Sequence, residues 1–343
     1  MGLCAYGNAK SELIDIFESF YLDGDFDKLI QNAKLPLDSG FNPWKNPLKN
    51  YCFEGNGAYN LAATAQKAFE NAFIKIYSKF DQNLPICLTG GAALNVLLNQ
   101  RILDHINPDI FIPPNPSDCG LSLGHLLFFH KPKERVKVSY SGLPLLDRNE
   151  LFKFTELYNA KKLSMQDVAH LLKQGKIIGM VFGDSEVGPR ALGHRSILCD
   201  PKFPNMKEII NSKVKFREWY RPFAPICRDV DSERYFSSRN FKNMEFMGFA
   251  PQVKDEFKNI LPSVTHFDGS SRLQIVSSDS CPTIYKLLSE FDKISETAVL
   301  LNTSFNVKGR PILSTIQDAL SVLESTELDG VLIEEYYFEK NDK

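Results

Sequence analysis

Short apolar runs, each next to a turn and a helical pattern, constrain the fold of this chain most strongly. The runs 177–182 and 298–301 have the length of β-strands, far below the roughly 20 residues that span a bilayer. Residues 60–80 place apolar side chains at helical spacing, with no internal glycine or proline. This alternation predicts a mixed α/β protein.

Two units of strand, turn and helix lie in the first half of the chain. In the first, a strand over 85–88 precedes the Gly90–Gly91 turn and a helix that begins near Ala92. In the second, an apolar strand precedes a proline-rich turn and a helix capped near Ser117 or Asp118. A glycine turn at the start of a helix lets the backbone approach a nucleotide closely.

The composition limits the class of partner. Lys and Arg number 40 and Asp and Glu number 42 in 343 residues, so the near-neutral charge makes a nucleic-acid partner unlikely on electrostatic grounds. The seven cysteines are widely spaced without a CxxC pair, which favours free thiols in a reducing compartment. The first residues lack an apolar signal core. We therefore expect a cytoplasmic protein with no membrane partner.

The pattern changes twice along the chain, which predicts two domains. We expect a first domain over 1–135, a linker with some local helix over 136–164, and a second domain over 165–343. The second domain begins with a helical pattern and a buried strand, and its polar stretches are unusually rich in Arg. The motifs that carry chemistry are concentrated there.

The first of these motifs is a loop that follows the strand 177–182. It combines small residues with Arg190 and Arg195, and guanidinium groups suit bidentate contacts with phosphate. The pattern predicts an anion site, and a solvated loop with surface ion pairs is the alternative.

A second motif interleaves basic and aromatic residues over 213–223. Lys215, Arg217 and Arg221 alternate with aromatic side chains, as in a pocket for a nucleotide and its phosphates. Single-stranded nucleic acid stacks on the same combination. An ordinary solvated helix face has this composition too, so the three readings stay open.

Two further clusters of polar side chains follow. His266 and Asp268 precede a glycine turn, after which Arg272 and Gln274 share one strand face because of period-two alternation. A histidine in such a place is commonly a structural residue. Three hydrogen-bonding side chains on one side of a later strand end suit a phosphate or carbamoyl group; they are Asn302, Ser304 and Asn306.

These motifs, in this order, resemble a known family. GPRALGHRSILCDP, RPFAP, THFDGSSRLQ and LNTSFNVKG resemble the carboxyl-terminal YrdC-like domain of the O-carbamoyltransferases that modify antibiotics and nodulation factors. LTGGAALNVLLNQRI and PPNPSDCGLSLG resemble the closing half of that family's actin-like, ATPase-superfold transfer domain. The resemblance implies a partial actin-like domain followed by a YrdC-like α/β domain.

The resemblance also implies a reaction and its residues. Carbamoyl phosphate and ATP would give carbamoyl adenylate, whose carbamoyl group passes to a hydroxyl-bearing small molecule or sugar. The implied catalytic residues are Arg217, Arg272, His266 and Asp268. The implied binding residues are Gly90, Gly91, Asn95, Arg190, Arg195, Lys215, Arg221, Gln274, Asn302, Ser304 and Asn306.

A divalent metal, iron or magnesium, is implied with Asp118 as its carboxylate ligand. The family's histidine motif lies before the segment that matches MGLCAYG, so we expect an incomplete metal site in this chain and a polypeptide partner that supplies the missing half-domain. Arg310 stands where the family typically has Glu, beside the Asn302–Asn306 cluster. This reversal of charge matters if Arg310 faces the pocket.

Three hypotheses of function follow. The first is an ATP-dependent O-carbamoyltransferase that is truncated or one part of a split enzyme. The second is a non-catalytic remnant that keeps nucleotide binding. The third is an RNA-binding or tRNA-modifying protein, which the near-neutral charge disfavours.

Overall fold

The computed structural model describes residues 1–23, 55–134 and 136–340. The chain divides into two compact units, of which the first comprises Met1–Pro85 and His105–Asp109. The second comprises Ile86–Asp104 and Ile110–Lys343. The second unit is built on a large mixed sheet with helices, which confirms the predicted mixed α/β class.

The first unit is helical in its described part. Helix α1 (Ser11–Asp23) packs on helix α2 (Gly55–Tyr77), which covers most of the helix predicted over 60–80. The backbone N–H of Asn8 donates to Oδ1 of Asn60 at 2.7 Å, and that of Lys10 donates to Oγ1 of Thr64 at 2.9 Å. These bonds fasten the segment just before α1 to α2.

The second unit is built on β-strands. The strands of the described residues are β1 (Ile86–Cys87), β2 (Ile110–Phe111), β3 (Lys161–Lys162), β4 (Ile178–Val181), β5 (Arg195–Cys199), β6 (Ala224–Arg228), β7 (Phe236–Ser237), β8 (Gln252–Val253), β9 (Gln274–Val276), β10 (Val299–Ser304), β11 (Gly330–Ile333) and β12 (Tyr336–Phe338). Eight of them form one sheet with the order β3-β12-β11-β4-β5-β10-β6-β9. Two strand pairs, β1-β2 and β7-β8, lie outside it.

Helices cover the sheet and fix its core. The described helices after α2 are α3 (Val96–His105), α4 (Leu121–His130), α5 (Leu151–Leu157), α6 (Met165–Lys173), α7 (Met206–Ile209), α8 (Ser232–Tyr235), α9 (Asp255–Lys258), α10 (Pro282–Ile294) and α11 (Ile316–Ser325). Helices α6 and α10 pack together, and their buried side chains join those of the central strands in one apolar core. Ser164 and Asp167 form a capping box at the start of α6, where the sequence predicts a helix.

Both predicted units of strand, turn and helix form, and their helices begin later than expected. A 3₁₀ turn over Gly91–Leu94 precedes α3, which Asn95 caps by accepting from the N–H of Leu98 at 3.1 Å. A second 3₁₀ turn over Asp118–Gly120 precedes α4. The tighter turns take up the residues that the pattern assigned to the first helical turn.

The predicted linker carries regular structure. It contains α5 and β3, and β3 pairs with β12 in the large sheet. The second compact unit also contains most of residues 86–134 together with the large sheet. The domain boundaries predicted from the sequence therefore stay a prediction. No helix among the described residues is long and apolar enough to cross a membrane.

Candidate functional site

The strand pairing brings the polar motifs of the second unit to one end of its sheet. Strands β6 and β9 are parallel, so both start at this end. Strand β10 is antiparallel to β6 and β5, so β10 ends there and β5 starts there. The loop from β4 to β5 closes the same end. Five cations lie on segments that meet here: Arg190, Lys215, Arg217, Arg221 and Arg272.

Lys215 joins the segment before β6 to the end of β10. Its Nζ donates to the carbonyl oxygens of Ser304 at 2.6 Å and Asn306 at 2.8 Å, and to Oδ1 of Asn306 at 2.5 Å. Burial, and then the positive charges of Arg217 and Arg221, lower the pKa of Lys215 to about 7. The structure therefore brings together Lys215, Ser304 and Asn306, three of the binding residues that the resemblance implies.

Arg217 is held by a residue that sequence reasoning missed. Its Nε donates to Oδ1 of Asn211 at 2.7 Å, and its guanidinium carbon lies 4.6 Å from the ring centroid of Phe223. Asn211 in turn donates to the carbonyls of Trp219 and Arg221 at 3.3 and 3.0 Å. Burial, and then Arg221, lower the pKa of Arg217 to about 10.

Arg272 lies among the other guanidinium groups, and its positive charge has no carboxylate partner in the described ranges. Burial, and then the charges of Arg190, Arg217 and Arg221, lower its pKa well below the ordinary value. Its Nε is buried and has no hydrogen-bond partner among the described residues. Of the five cations, Arg221 alone has a carboxylate partner in the described part of the chain, Glu218 at 3.6 Å on the surface. Such a set of charges favours a bound anion.

Two buried amides support the backbone beside Arg190. Asn302 donates from Nδ2 to Oε1 of Gln274 at 2.7 Å and to the carbonyl of Ala191 at 3.2 Å. Gln274 donates to the carbonyl of Leu192 at 2.7 Å. Both predicted residues thus hold the loop that carries Arg190, and Oδ1 of Asn302 is buried without a partner among the described residues.

Arg195 lies apart from the converging cations. It is fully buried, and its Nη atoms donate to the carbonyls of Phe182, Gly183 and His194 at 2.6 to 3.1 Å. The charges that act on it are carboxylates and include none of the five cations. These contacts favour a role in shaping the loop rather than the phosphate contact predicted from the motif.

Glu186 shapes the same loop, and no motif pointed to it. Its Oε1 accepts three backbone hydrogen bonds at 2.7 to 3.1 Å, from the N–H groups of Leu192, His194 and Arg195. A carboxylate that collects three N–H groups fixes a backbone turn strongly. The signal that could have found it is a lone acid inside a glycine-rich, basic loop.

His266 and Asp268 form a hydrogen-bonded turn beside Arg272. Oδ1 of Asp268 accepts from the backbone N–H and the hydroxyl of Ser270 at 3.0 and 2.7 Å, and Nδ1 of His266 lies 3.0 Å from that hydroxyl. Burial lowers the pKa of His266 to about 4. The carboxylate of Asp268 acts to raise this pKa, and the positive charge of Arg272 acts to lower it. His266 is therefore neutral near pH 7.

The candidates from the first half of the chain lie on the turns before α3 and α4, and their neighbours Leu94 and Pro116 line a small cavity together with Arg190. The N–H of Gly90, which has a φ of 88°, donates to the carbonyl of Pro116 at 2.6 Å, and Gly91 starts the following 3₁₀ turn. Asp118 is exposed, and no group of three His, Cys, Asp or Glu in the described ranges could hold a metal ion. The described residues therefore do not fit the implied metal.

Comparison with known families decides the membership of the chain. Residues 169–340 match the family described as carbamoyltransferase C-terminus, and residues 1–127 match carbamoyltransferase N-terminus. The chain belongs to the carbamoyltransferase family. The match to the N-terminus description means that the resemblance is not confined to a carboxyl-terminal part of the family, as the motifs alone had suggested.

Several curated proteins are similar to this carbamoyltransferase chain. Nodulation protein NolO of Bradyrhizobium diazoefficiens is 34% identical over 80% of the chain and 53% of its own length. Nodulation protein NolNO of Sinorhizobium fredii is 35% identical over 99% of the chain and 52% of its own length. An uncharacterized protein of Methanocaldococcus jannaschii is 32% identical over 97% and 57%. The chain spans about half the length of the curated relatives it matches.

A solved structure overlaps in part. A crystal structure of full-length HypF in the phosphate- and nucleotide-bound form is 16% identical to this chain, with a TM-score of 0.36. The overlap covers 54% of this chain and 23% of that one, which is too little to support a comparison of sites.

Proposed function

We propose that this chain activates a carbamoyl group with ATP and takes part in its transfer to a hydroxyl acceptor. One observation carries the proposal: the five cations at the end of the sheet are gathered with little compensating negative charge. Family membership supports carbamoyl transfer in general, and the cations support a phosphate-binding site at this end of the sheet.

The burial and mutual repulsion of these cations favour a ligand-binding role for the cluster over a purely structural one. Burial of Arg272 near three other guanidinium groups costs free energy in the folded chain, because each charge loses water and repels its neighbours. The phosphates of ATP and carbamoyl phosphate carry several negative charges. They would offset both the lost hydration and the repulsion between the guanidinium groups. A cluster that destabilises the chain without a ligand is explained in this way.

The residues divide into two groups by what they would do. Arg217 and Arg272 would hold the phosphate oxygens and stabilise the charge that develops on them. The Lys215 ammonium, whose Nζ already donates to the end of β10, would add positive charge nearby. Ser304 and Asn306, which Lys215 holds in place, would orient the carbamoyl end. Such chemistry depends mainly on position and charge.

The reaction would proceed in two steps. Carbamoyl phosphate, ATP and water would give carbamoyl adenylate, inorganic phosphate and pyrophosphate. The acceptor oxygen would then bond to the carbamoyl carbon and lose its proton to water, and AMP would leave with the electron pair of the broken C–O bond. The described residues provide no metal site, so neither step is assigned to a metal.

Exchange of labelled pyrophosphate into ATP tests the first step on the full chain. Exchange that requires carbamoyl phosphate is the expected result, together with ATP binding in calorimetry. Binding of ATP without exchange would favour the alternative of a non-catalytic nucleotide-binding remnant. Absence of both would overturn the proposal.

A further inference from the structure

The segment 138–147 lies between the two parts of the chain that match the family, of which the first ends at residue 127 and the second begins at residue 169. It belongs to the predicted linker, and none of the motifs falls within it. In the structure it is part of the second unit and makes backbone hydrogen bonds near both of its ends. We call it the connecting segment.

The first half of the connecting segment pairs with the loop that carries Arg190. The N–H of Val187 donates to the carbonyl of Ser139 at 2.9 Å, and the N–H of Gly142 donates to the carbonyl of Ser185 at 3.0 Å. A Cβ atom added at Gly142 would lie 2.3 Å from Oγ of Ser185 and 2.7 Å from its carbonyl oxygen. The two backbones are therefore so close that a side chain at Gly142 has no room.

Tyr140 fixes the backbone just after Arg190. Its hydroxyl donates to the carbonyl of Leu192 at 3.0 Å, and its ring stacks on that of His194 with the centroids 4.1 Å apart. The carbonyl of Leu192 also accepts from Gln274 at 2.7 Å. The connecting segment thus adds a hydrogen bond and a stacked ring to the support that the buried amides give to this loop.

The second half of the connecting segment binds the chain beside the end of β10. The N–H of Leu146 donates to the carbonyl of Ser314 at 3.0 Å. The N–H of Leu313, the residue before Ser314, donates to the carbonyl of Phe305 at 3.2 Å. Phe305 directly precedes Asn306, so this contact lies next to the residues that Lys215 binds.

Asp147 adds a charged contact at the same end. Its two carboxylate oxygens accept from the N–H groups of Ile316 at 2.7 Å and Gln317 at 3.1 Å, at the start of α11. The unpaired N–H groups and the dipole of a helix favour a negative charge at this position. The connecting segment therefore joins both sides of the cation cluster, which are the loop with Arg190 and the end of β10.

The cation cluster needs such support because its members repel one another. The like charges of Arg221 and Arg272 act on Arg190, and burial removes most of the water that would screen them. A loop without further contacts would move the Arg190 guanidinium away from the other cations. The contacts with Tyr140 and Gly142 oppose this movement before an anion binds.

We propose that the connecting segment positions the anion site, with Tyr140 as a positioning residue that holds Arg190 in place through the backbone of Leu192. The proposal rests on the proposed function for its ligand, ATP. A binding site whose charged groups are already in place loses less free energy to ordering when the ligand binds.

Calorimetry with ATP on the full chain tests the role of the hydroxyl. Tyr140→Phe keeps the stacked ring and removes one hydrogen bond, so the affinity should fall by about threefold to tenfold. Gly142→Ala should weaken binding at least as much, because its methyl group displaces the loop. The matched control Tyr158→Phe removes the hydroxyl of a tyrosine whose ring contacts Phe338, and it should leave the affinity unchanged.

A double-mutant cycle distinguishes positioning from a general loss of stability. When Arg190 is already replaced by Ala, Tyr140→Phe should change the affinity by less than about twofold, because the group that it positions is gone. A hydroxyl that only stabilises the fold would weaken binding equally with and without Arg190. Equal losses in the two backgrounds, or full affinity in Tyr140→Phe, would overturn the proposal.

Sulfate titrations of the same proteins separate this inference from the proposed function. If the parent chain binds sulfate but no ATP, the proposed function fails, and the cycle measured with sulfate still decides on Tyr140. Unequal sulfate losses in the two backgrounds then support the positioning role, and equal losses contradict it. If the parent chain binds neither anion, both proposals are wrong.

Discussion

Asn211 accepts a hydrogen bond from Nε of Arg217 at 2.7 Å, from a position six residues earlier in the chain. The same side chain donates to two carbonyls of the following loop, those of Trp219 and Arg221. One buried amide thus fixes both the direction of a guanidinium group and the backbone that carries the next cation. The arrangement of the cation cluster depends on the Asn211 side chain, although this amide carries no charge.

Replacement of Asn211 by Ala should weaken ATP binding by about tenfold, because Arg217 loses the acceptor that orients it. The control Asn205→Ala removes an exposed amide that makes no capping hydrogen bond with its side chain. Calorimetry with ATP on both variants makes the comparison. Equal affinities would show that Arg217 needs no such support.

Arg272 should contribute directly to the affinity for phosphate. Arg272→Ala is expected to weaken ATP binding by about 10-fold to 150-fold, the equivalent of about 1.5 to 3 kcal/mol for a charged hydrogen bond. Arg148→Ala serves as the control, since that side chain is exposed and forms a surface contact with Glu334. If both variants lose the same affinity, the cations form an ordinary solvated face.

The charge of Arg272 should also destabilise the empty protein. Arg272→Met keeps much of the volume and removes an uncompensated guanidinium, so the free energy of unfolding should rise by about 1 to 4 kcal/mol without ligand. The stabilisation that ATP gives at a fixed concentration should be smaller in this variant than in the parent chain. Thermal unfolding with and without ATP measures both effects, and a less stable Met variant would contradict the argument.

Elements that depend on short-range interactions form where the sequence predicts them. The capping box at Ser164 and the apolar run of β4 are short-range signals, and both elements form where they were expected. Arg190 and Arg195 occur in one motif, yet the first faces the other cations and the second binds backbone carbonyls. Only the path of the loop around Glu186 distinguishes them. That path depends on contacts that spacing does not encode.

Affinity for an anion should fall as the pH rises through about 7. The pKa of Lys215 is lowered to about 7 in the folded chain, so its ammonium is largely neutral above that pH and charged below it. An anion binds the charged form, and the loss approaches about tenfold per pH unit once Lys215 is neutral. Sulfate is a suitable probe because its charge is constant over this range. Lys215→Arg, which stays charged, should give a flat profile.

The reversed charge at Arg310 should have little effect. Its side chain is exposed, and the contact of this residue with the cluster is its carbonyl, which accepts from Nδ2 of Asn306 at 2.7 Å. Arg310→Glu keeps that backbone contact, so ATP affinity should change by about twofold or less, as for other exposed charges. A change as large as that of Arg272→Ala would place the side chain in the pocket.

Residues 1–343 alone should make carbamoyl adenylate but transfer its carbamoyl group poorly. The cations that would activate the group lie in one compact unit, whereas Asp118 is exposed and the described ranges contain no metal-binding group around it. A single carboxylate holds a transition metal weakly. Iron binding should therefore be weak and unchanged by Asp118→Ala, with pyrophosphate exchange unaffected. A polypeptide that carries the family's histidine motif should increase metal binding and transfer together. Efficient metal-dependent transfer by this chain alone would show that its site is built from other residues.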